Sequence, residues 1–129
     1  MTEAAVDSPE VLGWSLASGF GRIAFGLCML VGPEPALRVL GFSEPTPATA
    51  AVGRIAGIRD LVLGVVTLAS LKDRRRLRAA TLANAGADAG DTLAFALALG
   101  TPERTAGSRG LAAALPATMA GLWTAWRLT

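Results

Sequence analysis

Four apolar blocks follow one another along the chain. Each is about 20 residues long, the length that ~30 Å of hydrocarbon asks of a helix. They predict helical spans over roughly 11–31, 49–71, 79–99 and 109–128. Between the first two, Gly32-Pro33-Glu34-Pro35 stops the helix. Ala36–Phe42 is too short to cross a bilayer and mildly amphipathic, which predicts an interfacial turn or short helix. Pro45 and Pro47 make Ser43–Ala48 a loop, Lys72–Arg78 reads as a tight basic turn, and Glu103–Ser108 reads as loop. Ser8 and Pro9 predict an N-cap and first helical position, while residues 1–10 form an acidic tail without the basic start of a secretory signal. The fold class that follows is all-α, an integral membrane four-helix bundle forming a single domain over residues 1–129.

Polar positions inside those blocks change the picture. The second span carries Arg54, Arg59 and Asp60. Each charge at such depth costs ~2.5–3.5 kcal/mol on insertion scales, so it must pair or face a wet cavity. At about 100° per residue, Gly53, Gly57, Asp60 and Gly64 share one face, with Arg54 and Arg59 to either side. Ser15, Ser18, Gly19, Arg22 and Gly26 make a similar stripe on the first span, where small residues allow close helix approach. Thr81, Asn84, Asp88, Asp91 and Thr92 form a polar stripe on the third. The fourth has no interior charge, and Pro116 is expected to kink it. Three arginines thus stand against three aspartates near mid-depth. The expected pairs are Arg22 with Asp60 or Asp88, and Arg54 with Asp91.

Composition removes whole classes of chemistry. There is no His, no Tyr and a single Cys, Cys28. This excludes Ser-His and Cys-His catalysis, His-based metal sites, Cys₄ zinc and an internal disulfide. Net charge is +2, and five of the 12 basic residues sit in the Lys72–Arg78 turn, which speaks for membrane topology rather than nucleic acid. Lys72, Arg74, Arg75, Arg76, Arg78 and Arg127 fall on one side, Arg38, Arg104 and Arg109 on the other. The positive-inside rule then predicts a multi-pass protein of the cell's inner (plasma) membrane with both termini cytoplasmic. Trp14, Trp123 and Trp126 are expected at that cytoplasmic interface.

The six interior charges are either ions that hold the bundle in register or the polar wall of a cavity for a mostly apolar small molecule. On the second reading Asp60, Asp88 and Asp91 are acid/base candidates. Arg22, Arg54, Arg59 and Asn84 would bind and orient substrate, and the arginines could hold a carboxylate or phosphate head group. No metal and no cofactor is called for. The glycines around Phe20 lie inside a spanning helix with no strand before them, so they read as helix packing rather than a dinucleotide loop. The leading expectation is a cofactor-independent isomerase or cyclase acting on a lipophilic substrate in the bilayer. The alternatives are a proton-coupled transporter and a non-catalytic accessory subunit, and a homo-oligomer is compatible with all three.

The segments G-R-I-A-F-G (Gly21–Gly26), G-I-R-D-L-V-L-G (Gly57–Gly64) and the aspartate of the third span carry a resemblance. Over most of residues 11–128 the chain resembles the four-helix membrane family catalogued as domain of unknown function 4267 and, more loosely, the DoxX-like small membrane proteins. The resemblance implies a four-helix membrane bundle and directs attention to Arg22, Arg59, Asp60 and Asp88.

Overall fold

A computed structural model describes residues 8–129, so most of the expected acidic tail lies outside the described residues. The described chain is helical throughout: α1 (Pro9–Val31), α2 (Pro33–Leu40), α3 (Pro47–Ala69), α4 (Arg74–Ala98) and α5 (Arg104–Arg127). Local chemistry sets the boundaries. Pro9, Pro33 and Pro47 each open a helix, where the missing N–H costs nothing. Thr46 and Thr49 form a reciprocal capping box at α3. Ser8 occupies the N-cap of α1 but makes no side-chain capping bond.

The basic turn differs from expectation. The Asp73 carboxylate accepts from the Arg76 N–H at 2.9 Å, so the helix starts at Arg74 and Arg74–Arg78 form the first turns of α4. The expected interfacial segment is the helix α2. It ends on Gly41 at φ 101°, and a side chain there would be strained and would crowd the start of α5. Helix α5 runs on through Pro116.

The helices form two antiparallel pairs, α1 with α3 and α4 with α5, and contact between the pairs is sparse. Glycines allow the close approach within each pair. A Cβ on Gly26 would lie 2.6 Å from the Gly57 carbonyl oxygen, and one on Gly64 would lie 2.6 Å from that of Gly19. In the second pair Gly110 lies under the Phe95 ring and Gly121 against Ala85. Val11, Leu77 and Leu128 close one end of the bundle, with Leu71 packed on them. The start of α1, the α3–α4 corner and the end of α5 therefore meet there, as the sequence predicts. At the other end Arg109 donates to the Val39 carbonyl, and Ser43 meets Glu103.

The distribution of polarity is inverted relative to a water-soluble domain. On α3 the outward positions are Val52, Ile55, Ile58, Val62, Val65 and Val66, and Ile55 is 69% exposed. The inward positions are Gly53, Gly57, Asp60, Gly64 and Thr67, and Asp60 is 6% exposed. Phe20, Leu93, Leu97 and Met119 continue the apolar exterior on the other helices. Among the described residues, α1 alone combines the length and hydropathy of a membrane span. The charges of α3 and α4 reduce the average hydropathy of those helices; Asp60 and Asp88 among them are buried, whereas Arg54 and the arginines that open α4 lie outside. Trp123 and Trp126 are exposed near the end of α5, and Trp14 is half-buried and lines the cavity.

Candidate functional site

The sparse contact between the helix pairs leaves a cavity of about 770 Å³, within the ordinary size for a small-molecule site. Its lining is mainly apolar: Trp14, Phe25 and Met29 from α1, Leu37 and Phe42 from the α2 region, Val52 and Ala56 from α3, Phe95 from α4, and Ala113 and Ala117 from α5. One wall is polar. It holds Ser15, Arg22, Arg59, Asp60, Thr67, Asn84, Asp88 and Asp91.

Five charged groups run across that wall as a continuous chain. Arg22, on α1, donates through Nη1 to Asp60 Oδ1 at 2.7 Å and through Nη2 to Asp88 Oδ2 at 2.6 Å. It thereby ties α1 to α3 and α4 at one point. Its side chain is 10% exposed. Arg59 grips Asp91 with both nitrogens of its fork, at 2.8 and 2.7 Å, and reaches Asp60 Oδ1 at 3.3 Å. The order is Asp88–Arg22–Asp60–Arg59–Asp91. Counted as ions, three carboxylates face two guanidiniums, so the chain carries one unmatched negative charge.

The individual oxygens have different freedom. Both oxygens of Asp91 are held by Arg59. Asp60 Oδ2 and Asp88 Oδ1 accept no hydrogen bond among the described residues. Both arginine forks are filled by carboxylates, so neither is free to clamp an anionic head group in the manner expected from sequence.

Of the seven residues singled out from sequence, Arg22, Arg59, Asp60, Asp88, Asp91 and Asn84 meet at this wall, and Arg54 does not. Arg54 is exposed and makes no ion pair among the described residues, and Asp91, the partner expected for it, pairs with Arg59 instead. Geometry explains the exchange. Relative to Asp60, Arg59 lies about 100° to one side of α3 and Arg54 about 120° to the other. Helix α4 packs on the Arg59 side.

Sequence reasoning passed over Thr67 and gave Ser15 only a packing role. Asn84 Nδ2 donates to Thr67 Oγ1 at 2.9 Å, while Thr67 donates its own proton to the Leu63 carbonyl at 2.8 Å. Thr67 lies seven residues beyond Asp60 on the same stripe, a spacing that was available to find it. Ser15 Oγ, Asn84 Oδ1 and Arg22 Nε are buried without a partner among the described residues.

A family model described as Domain of unknown function (DUF4267) matches residues 19–128, a stretch that contains the whole ion chain and most of the cavity lining. No curated protein and no solved structure matches the chain.

Proposed function

The chain belongs to the family described as Domain of unknown function (DUF4267), and on that footing we propose that it is a membrane-embedded bundle whose cavity performs proton-transfer chemistry, isomerisation or cyclisation, on a lipophilic small molecule. The observation that carries this is the juxtaposition in one cavity: an apolar enclosure of about 770 Å³ against a wall with three aspartates and two arginines. The inverted polarity supports the bilayer. Exposed Val, Ile, Leu and Phe on every long helix would cost about 25 cal/mol per Å² in water and cost nothing against lipid. Arg54, near the α2 end of α3, has the reach to bring its head to the lipid–water boundary.

Roles follow from which oxygens are free. Asp88 and Asp60 each have one oxygen fixed by Arg22 and one unbonded, so each can take or return a proton at a held position. Asp91 has both oxygens engaged and positions Arg59. Arg22 keeps the two working carboxylates apart and oriented, with planar donors that do not deprotonate.

The test is turnover in lipid nanodiscs. Lipophiles that co-purify with the protein are identified by mass spectrometry, resupplied, and their conversion followed. Asp88→Asn and Asp60→Asn are expected to abolish conversion and Asp91→Asn to reduce it. Full conversion by all three variants would end the proposal. Transport is the second reading, favoured by the sparse contact between the helix pairs, which leaves them free to rock about the cavity. It requires proton-coupled flux of the same lipophile in liposomes, and its absence would dismiss that reading.

A further inference from the structure

The polar wall holds acceptors without partners. Thr67 spends its only hydroxyl proton on the Leu63 carbonyl, so it can only accept from Asn84. This fixes the Asn84 amide with Nδ2 toward Thr67 and leaves Oδ1 as a buried acceptor without a partner, on a residue 4% exposed that lines the cavity. Asp60 Oδ2 and Asp88 Oδ1 are further acceptors without a hydrogen bond. Ser15 Oγ, also buried and unpartnered, can serve either way. Arg22 Nε is a buried donor without a partner. The free carboxylate oxygens and Asn84 Oδ1 thus stand beside an ion chain with one carboxylate more than guanidiniums.

From this imbalance we infer that the ligand carries a positive charge, as a protonated amine on an apolar body. The inference rests on the reading that the cavity takes a lipophilic small molecule, and it names the class. An ammonium brings up to three N–H donors and the charge that the ion chain lacks. Trp14, Phe25 and Phe95 line the same space, and aromatic rings attract a cation. A carboxylate or phosphate would meet filled guanidinium forks and add to a surplus of negative charge. A neutral alcohol brings one donor and no charge.

Three probes of one shape separate these cases: 1-adamantanamine, 1-adamantanol and adamantane-1-carboxylate. The full chain carrying Trp123→Phe and Trp126→Phe is placed in zwitterionic-lipid nanodiscs. Trp14 emission then reports occupancy of the cavity, with empty nanodiscs subtracted. The amine is expected to bind saturably and at least roughly tenfold tighter than the alcohol, the scale expected of one uncompensated charge in a poorly solvated site. The carboxylate is expected not to saturate. Asp88→Asn, which balances the ion chain, should bring amine and alcohol to equal affinity. The ranking within the parent protein is decisive even where that variant does not fold. Equal amine and alcohol affinities in the parent, or tighter carboxylate binding, would overturn the inference and leave the lipophile cavity standing. No saturable binding of any probe would overturn the cavity reading and the inference with it.

Discussion

Arg22→Met removes the one side chain that joins three helices through charge. The guanidinium makes bonds of 2.7 and 2.6 Å to Asp60 and Asp88, whose side chains are 8% and 13% exposed. Without it, three carboxylates share Arg59 alone, and the net charge of the wall goes from −1 to −2. Removing one partner of a buried pair costs about 3–5 kcal/mol, because the other charge stays buried without compensation. Asp88 is orphaned here and Asp60 keeps only Arg59 at 3.3 Å, but their free oxygens face a cavity that can hydrate, which places the cost near about 3 kcal/mol. That is a large part of the 5–15 kcal/mol typical of a folded domain. The assay is unfolding in mixed micelles, followed by far-ultraviolet circular dichroism and read as midpoint and slope. Arg22→Lys should fall between, since a single ammonium lacks the fork that serves two carboxylates. Adding Asp88→Asn to Arg22→Met restores a net charge of −1 and should recover roughly 1–2 kcal/mol, a coupling ordinary for groups in contact. Arg22→Met within about 0.5 kcal/mol of the parent, or a double variant no better than the single, would refute the reasoning. Either result would mean that water in the cavity already carries the carboxylates.

Glycine substitutions should divide by sign. Gly57→Ala places a Cβ 2.7 Å from that of Met29 and should cost about 1–3 kcal/mol, whereas Gly86→Ala meets nothing within 4 Å and should be neutral or stabilising by up to about 1 kcal/mol, both by the same unfolding assay. Arg54→Gln should leave both stability and turnover within error, and a loss of turnover beyond about threefold would return Arg54 to the site. Bilayer coverage is tested in a Cys28→Ser background. Ile58→Cys, half exposed in mid-α3, should resist a charged methanethiosulfonate reagent in intact membranes, while Arg76→Cys in opened membranes should react. Equal labelling at the two positions would place water, not lipid, against α3.

Much of the architecture was written in periodicity. The stripe Gly53–Gly57–Asp60–Gly64 could be read as a contact face because small residues and a charge recur there at helical spacing, and those residues are buried. Of the ends, the Pro9 start of α1 was legible, whereas Pro33 and Pro47, read as stop and loop, open α2 and α3, and Asp73 caps a helix where a turn was expected. What periodicity could not supply was the azimuth of the third neighbour. Arg54 and Arg59 flank the stripe almost symmetrically, and a single helix offers no reason to prefer one. The choice is made by where α4 lies, and that depends on how the two helix pairs meet. The cavity was hidden for the same reason. It exists because α3 and α4, joined by a tight corner, belong to different pairs and touch little.

The same fact sets how structure and chemistry are entangled here. Within each pair, backbone contact at glycines holds the helices, and in the first pair the Arg22–Asp60 ion pair adds to it. Between the pairs, packing is sparse, and Arg22 with Asp88 and Arg59 with Asp91 are the ionic links. A residue that only locked the pairs together would engage all of its partners' oxygens, as Arg59 does with Asp91. Arg22 instead takes one oxygen from each aspartate and leaves the other unbonded on residues that line the cavity. Half of each carboxylate serves the fold, and half remains for a ligand. Asp91, whose loss weakens a clamp, should therefore lose stability with turnover only reduced, whereas at Asp88, whose loss removes both a strut and a proton carrier, stability falls and turnover is abolished. If Asp88→Asn lost stability alone, with turnover per folded molecule intact, the free oxygen would have no chemical role and the chain of ions would be a cross-brace.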